Sequence, residues 1–114
     1  MKQIIVMRKD LSMRAGKMVA QGAHASMKAT LANQNDPRVQ QWLSEAFTKV
    51  CVRVDSLEEL RDVQARAVEA GLIVAEIEDN GLTEFHGEKT VTCCAIGPDT
   101  HDALAPVTGH LKLL

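Results

Sequence analysis

Four polar side chains recur at helical spacing between Gly16 and Lys28: Lys17, Gln21, His24 and Lys28. At about 100° per residue they fall within one narrow arc of a helix. An ammonium, an amide and an imidazole on one flank suit a polar ligand better than a core. Lys17 stands near the start of that helix, where a cation opposes a dipole that draws anions. Unpaired backbone N–H groups at a helix start favour anions too, and Gly16 permits close approach. Helix start, glycine and lysine together can hold a phosphate or a carboxylate. A solvated lysine in a weakly unfavourable field is the plainer reading.

A second polar set lies far along the chain. Asp79 follows the apolar run 72–77, and Thr83 lies in the loop after it. Thr90 and Thr92 share one face of the run 90–96, because strand side chains alternate. A strand end is where α/β proteins open ligand clefts. Asp79 is therefore the anion expected near Lys17, and the two are expected to form the catalytic centre. Taken singly, these residues have plainer explanations. The threonines satisfy β-propensity, Asp79 forms a turn with Asn80-Gly81, His24 serves at an interface and Gln21 is solvated. Other chemistries lack support. His24, His86, His101 and His110 are scattered, with no helical pair beside a carboxylate, so no metal and no cofactor is expected. G-x-S-x-G, P-loop and GxGxxG patterns are absent.

Positioning these groups requires a particular order of elements. Gln3 to Met7 is an apolar, β-branched run and reads as a central strand buried on both faces. A short loop through Ser12 leads into the helix over 16–28. Within it Met18, Gly22, Ala25 and Ala29 make a mostly small second stripe that packs closely on a sheet. Asp36-Pro37 opens a second helix, running to about Phe47. Lys49 to Val54 is the second strand. Ser56-Leu57-Glu58-Glu59 is a capping box, Leu57, Leu60, Val63 and Ala67 form the buried stripe of a third helix, and Gly71 closes it. Leu72 to Ile77 is the third strand, parallel to the second and adjacent to it unless the two lie apart in the sheet. Asp79-Asn80-Gly81 is a turn, Thr90 to Ile96 the fourth strand, and Gly97-Pro98 its end. Residues 100–105 make a short helix stopped by Pro106, and 111–113 are extended. The sum is one α/β domain over 1–114, a four-stranded mixed sheet with helices on both faces.

Composition narrows the function. The chain has 114 residues, 46% hydrophobic and 25% charged, enough for one soluble core. Trp42, Phe47 and Phe85 are its aromatics, too few for a platform of stacked bases. Charge is uneven. Residues 1–30 hold six basic side chains against Asp10, while residues 55–88 hold ten acids against Arg61 and Arg66. The basic third can hold an anionic ligand on a chain whose net charge is −2. Lys9, Arg14 and Lys28 are the candidate phosphate contacts. Cys51, Cys93 and Cys94 form no disulfide pattern and read as buried thiols of a reducing, cytoplasmic setting. No targeting segment and no run long enough to span a membrane is visible.

The motifs in order carry a resemblance. Lys9-Asp10-Leu11, Met13 to Lys17, Ala20-Gln21, Ala23-His24-Ala25, Asp79, Gly81-Leu82-Thr83, Thr90, Ala95 to Pro98 and Pro106 to Leu114 together resemble the type II peptidyl-tRNA hydrolase family. The resemblance implies a compact α/β domain, often dimeric, that hydrolyses the ester joining a peptide to the terminal ribose of tRNA. It places Lys17, Gln21, His24, Asp79, Thr83 and Thr90 around the active cleft. Lys17, Asp79 and His24 are then the candidate catalytic residues. Lys9, Arg14, Gln21, Lys28, Thr83, Thr90 and Thr92 are the candidate substrate contacts. Peptidyl-tRNA is the expected partner, with a second copy of the chain. The chain departs from the family at Asn80, Glu84 and Phe85 to Lys89, where a Pro-Gly-containing loop is replaced. That replacement looks like a bacterial or phage-type variant. Two alternatives stand beside hydrolysis of peptidyl-tRNA: a binding module on the same fold, and a hydrolase of another acyl ester or amide.

Overall fold

The structure, a computed structural model, describes residues 1–82 and 85–114. Its elements are β1 (Lys2–Arg8), α1 (Ala15–Ala32), α2 (Pro37–Ser44), β2 (Lys49–Val54), α3 (Leu57–Glu69), β3 (Val74–Asp79), β4 (Thr90–Asp99) and α4 (His101–Thr108). The sheet order is β2-β1-β4-β3. β1 and β2 are parallel, while β4 runs antiparallel to both β1 and β3. β2 and β3 therefore share a direction but lie at opposite edges, and β1 and β4 fill the gap between them.

Alternation along the inner strands builds two apolar layers. Ile4 and Val6 of β1 face Val52 and Val54, under Leu60, Val63 and Ala67 of α3 and Leu104 and Val107 of α4. Ile5 and Met7 point the other way and pack with Cys93, Ala95, Ala25 and Ala29 of α1 and Val39 of α2. The small stripe of α1 allows this closeness, since a Cβ added at Gly22 would sit 3.6 Å from Ile5. α1 and α2 leave the second face open over β2, where Lys49 and Cys51 are exposed.

Local signals set several boundaries. Asp36 caps α2 by accepting from the Arg38 backbone N–H at 2.9 Å. Ser56 Oγ accepts from Glu59 N–H at 3.0 Å, and Glu59 reaches back to the Asp55 N–H at 3.1 Å. Gly71, at φ +75°, ends the turn after α3.

Other expectations are corrected. Leu57 is 37% exposed and outside the core, because the first residue of α3 points past the sheet. Gly97-Pro98 does not end β4. The ladder shifts across Lys2 to Ile4, absorbs the missing proline N–H and resumes at Lys2 and Asp99. Pro106 lies inside α4, where it forfeits only the one bond its N–H would have given. α2 stops at Ser44, and Phe47, at φ +37°, is outside it. Cys51 is exposed rather than buried, since nothing covers that face of β2. The tail runs beside β2, with Arg53 N–H donating to the Lys112 carbonyl at 2.9 Å and Leu114 N–H to the Cys51 carbonyl at 3.0 Å.

Candidate active site

Lys17 is the third residue of α1, a helix with no acid in its first turn and no side-chain cap from Arg14. The counter-charge its position requires comes from the end of β3. Lys17 Nζ donates to Asp79 Oδ1 at 2.7 Å, with both side chains only 12% exposed. The partners are 62 residues apart, and the packing of α1 across β4 and β3 brings them together.

Among the described residues three donors hold the Asp79 carboxylate. Besides Lys17, the Gly81 backbone N–H donates to Oδ2 at 2.8 Å and Gln21 Nε2 to Oδ1 at 3.3 Å. The Lys17 hydrogen bond is the main cause that holds this carboxyl below its usual 3.8. Partial burial works against that shift, and the bonds from Gly81 and Gln21 add to it. Asp79 is thus an anion at neutral pH. Gly81 can serve because it lacks a side chain. Its φ is +80°, and a Cβ there would run into the Glu88 carbonyl and lie 2.6 Å from the Glu88 nitrogen.

Gln21 is itself oriented from below. Thr92 Oγ1 donates to Gln21 Oε1 at 2.6 Å, which turns the amide nitrogen toward Asp79. The Cys93 thiol donates to the Gln21 carbonyl at 3.4 Å. Burial pushes that thiol up to about 11, so it stays protonated at neutral pH. Gln21 and Thr92 are both buried, which gives them a place supporting Asp79 instead of an open contact with a ligand.

The remaining candidates are spread around this pair. His24 is exposed on the same flank of α1 and makes no hydrogen bond or ion pair among the described residues. Lys28 Nζ donates to the Glu76 carbonyl at 2.7 Å, tying α1 to β3. Thr90 Oγ1, at the start of β4, donates to the Glu88 carbonyl at 3.2 Å. Lys9 and Arg14 are exposed, on either side of the loop between β1 and α1. Thr83 lies outside the described residues. Among the described residues no three His, Cys, Asp or Glu side chains cluster as metal ligands. Sequence reasoning missed Gly81 as a donor and Phe85 as a neighbour of Lys17. The Asn80-Gly81 turn was a signal for the first; a lone aromatic in a loop gave none for the second.

A family model described as peptidyl-tRNA hydrolase PTH2 matches residues 1–114. The chain belongs to the PTH2 family. The peptidyl-tRNA hydrolase of Methanocaldococcus jannaschii is 46% identical to it over 116 residues, covering all of both chains. That of Nanoarchaeum equitans is 42% identical over 98% of this chain and 97% of its own. That of Methanothermobacter thermautotrophicus is 40% identical over the whole of both. These PTH2 relatives are archaeal and do not bear out the expectation of a bacterial or phage-type variant. The altered loop at 85–89 was too short a segment to carry that inference. Among the described residues, no helix is long and apolar enough to cross a membrane.

Proposed function

We propose that this chain hydrolyses the ester between the peptide and the terminal ribose of peptidyl-tRNA, with Lys17 and Asp79 at the reacting centre. The observation that carries the proposal is the 2.7 Å ion pair between them at a helix start, in a chain of the PTH2 family. In this reaction water adds to the acyl carbon and the acyl–oxygen bond breaks. The ribose oxygen takes a proton, and the peptide leaves as a carboxylate. Charge builds on the carbonyl oxygen in between. An ammonium already held in place stabilises that charge without reorganising during the step. Asp79 keeps Lys17 in place or orients the water, and His24, exposed one turn beyond Gln21, is the candidate proton carrier. Thr83 and Thr90 are the candidate hydroxyl donors, Thr90 once it gives up its bond to the Glu88 carbonyl, and Lys9, Arg14 and Lys28 are the candidate phosphate contacts. Gln21 and Thr92 act through Asp79. No cofactor enters this scheme, and the cytoplasm, where tRNA is acylated and used, is the compartment proposed.

Steady-state turnover on purified peptidyl-tRNA tests the reading. Replacing Lys17 by Ala lowers kcat by roughly 10²-fold or more with the fold intact. Near-normal turnover by that variant would sink the assignment. Tight RNA binding without turnover by the parent chain would mark a binding module. Turnover indifferent to the RNA portion would mark a hydrolase of other acyl esters.

The second copy of the chain is proposed at the opposite flank of α1. There Val19 and Met27, 73% and 60% exposed, join Ile5, Met7, Cys51 and Leu114 around an apolar groove of about 560 Å³. A two-fold axis through such a face buries the same residues from both protomers. Light scattering at micromolar concentration checks this: a dimer for the parent and a monomer for Met27→Glu are expected. A monomeric parent refutes it.

A further inference from the structure

Phe85 has no part in the scheme above, yet it stands beside the reacting pair. The other aromatic residues are elsewhere. The Trp42 indole N–H is engaged by the Thr48 carbonyl at 2.9 Å, and Phe47 packs edge-on against Trp42 at 6.3 Å. Lys17 Nζ lies over the Phe85 ring, 5.8 Å from its centre. The ring is half-buried and packs against the same apolar layer as Ile5 and Met7, so it is held from behind.

On the C-terminal side of Phe85 hydrogen bonds hold the backbone. The Phe85 carbonyl accepts from Glu88 N–H at 2.9 Å, closing a tight turn. His86 and Gly87 occupy its two central positions at φ +50° and +83°. Gly87 N–H donates to the Gly81 carbonyl at 2.8 Å, which lays the turn against the residue that also bonds Asp79. Ring and carboxylate are thus braced through one glycine.

We infer that Phe85 is a positioning residue for the hydrolysis: its ring face holds the Lys17 ammonium against the Asp79 carboxylate. The inference rests on the reading of Lys17 as the group that stabilises the developing charge. A lysine stem has four rotatable carbons, and one ion pair restrains only its tip. The negative face of an aromatic ring attracts an ammonium within about 6 Å. Its apolar body excludes water from one side of the pair. The ring adds a restraint from a different direction, which leaves the ammonium fewer orientations, and transition-state stabilisation depends on that orientation. An aliphatic side chain would fill the same space and supply only the exclusion of water.

The test separates ring electrostatics from ring shape. Phe85 is replaced by phenylalanines carrying one, two and three ring fluorines, which keep the size of the ring and progressively weaken its negative face. Turnover on peptidyl-tRNA is measured for each, with Phe85→Leu, Phe85→Tyr and Lys17→Ala alongside. The expected result is a stepwise fall in kcat totalling about two- to fivefold, with KM and melting temperature unchanged. Phe85→Leu falls as far as the trifluoro form, Phe85→Tyr is restored, and fluorination does nothing further in a Lys17→Ala background. A flat kcat across the fluorinated series, with Lys17→Ala inactive, overturns the role of Phe85 and leaves the site standing. Full turnover by Lys17→Ala overturns both.

Discussion

Thr92 offers a sharp test because it is buried and reaches the proposed reacting pair through Gln21. Its hydroxyl is buried and donates to Gln21 Oε1 at 2.6 Å, and Gln21 Nε2 continues to Asp79 Oδ1 at 3.3 Å. Thr92→Val keeps the shape and removes the donor. Gln21 Oε1 is then buried without that partner, which costs about 1–3 kcal/mol. The methyl that replaces the hydroxyl returns up to about 0.8 kcal/mol of burial, so the net loss centres on about 1.5 kcal/mol. In a domain of this size that lowers Tm by roughly 3–10 °C. Activity changes for a separate reason. Once nothing distinguishes the amide oxygen from its nitrogen, the oxygen can turn toward the Asp79 carboxylate, repel it and loosen Lys17. The expected fall in kcat is about three- to tenfold, the worth of one hydrogen bond. It is smaller than for Lys17→Ala because Lys17 and Gly81 still hold Asp79. Thr92→Ser is the control: it loses a methyl and about 1 kcal/mol of packing but keeps the donor. Thermal melts and kcat on peptidyl-tRNA are measured for both variants. Reduced Tm with kcat retained is expected for Ser, and both reduced for Val. Equal kcat losses in the two would refute transmission through Gln21.

The pair should act as a unit, so Lys17→Ala/Asp79→Asn should be little slower than the worse single variant; multiplicative losses in kcat would show independent roles. Asp79 is ionised in the folded state below its usual 3.8, so its contribution to stability is present above that pH and is lost as pH falls through its lowered folded value. Urea melts should therefore show a constant cost of Asp79→Asn from pH 7 to 5 that shrinks below 3.8, and a cost that grows with acidity would reverse the sign argued here. Removing charge at Lys9, Arg14 or Lys28 should reduce the salt dependence of tRNA affinity by about one unit of log–log slope each. An unchanged slope in all three places the phosphates elsewhere. The sequence has no metal-ligand spacing, so turnover is expected to survive EDTA; loss restored by zinc or manganese would overturn that expectation.

Local signals were legible where one short-range interaction decides the outcome. Lys49 to Val54 is the observed second strand, and the Ser56 capping box and Asp36-Pro37 start their helices as the spacing predicts. The Lys17–Asp79 contact was legible too, because a cation in the first turn of a helix implies a nearby anion whatever the sequence distance. Burial read from periodicity was less secure. Gln21 lies only about 40° from the sheet-facing stripe, close enough for its amide to reach inward, and this cannot be told from a solvated glutamine without β4 in place. Leu57 kept the spacing of the α3 stripe but sits at the helix end, where the sheet no longer lies beneath it. Cys51 alternates correctly with Val50 and Val52, yet the face it points to has no covering helix. Phe85 gave no signal because its role depends on a turn whose position relative to α1 is set by tertiary packing.

The two edges of the sheet are closed by different means. Along β2 the residues around Leu113 run antiparallel to Val52 and take up the hydrogen bonds of Cys51 and Arg53. Along β3 the strand is short and carries Glu76, Glu78 and Asp79, and Lys28 occupies the Glu76 carbonyl. An unpaired, flat, apolar edge is a template on which further chains can add as strands. Here one edge is already occupied by the chain's own tail, and the other meets an incoming strand with the exposed charge of Glu78, beside Glu76 and Asp79 already paired with Arg61 and Lys17. Open-ended strand addition is thereby disfavoured at both edges. Deleting residues 111–114 should undo this at β2 and leave that edge open to strand addition by other chains.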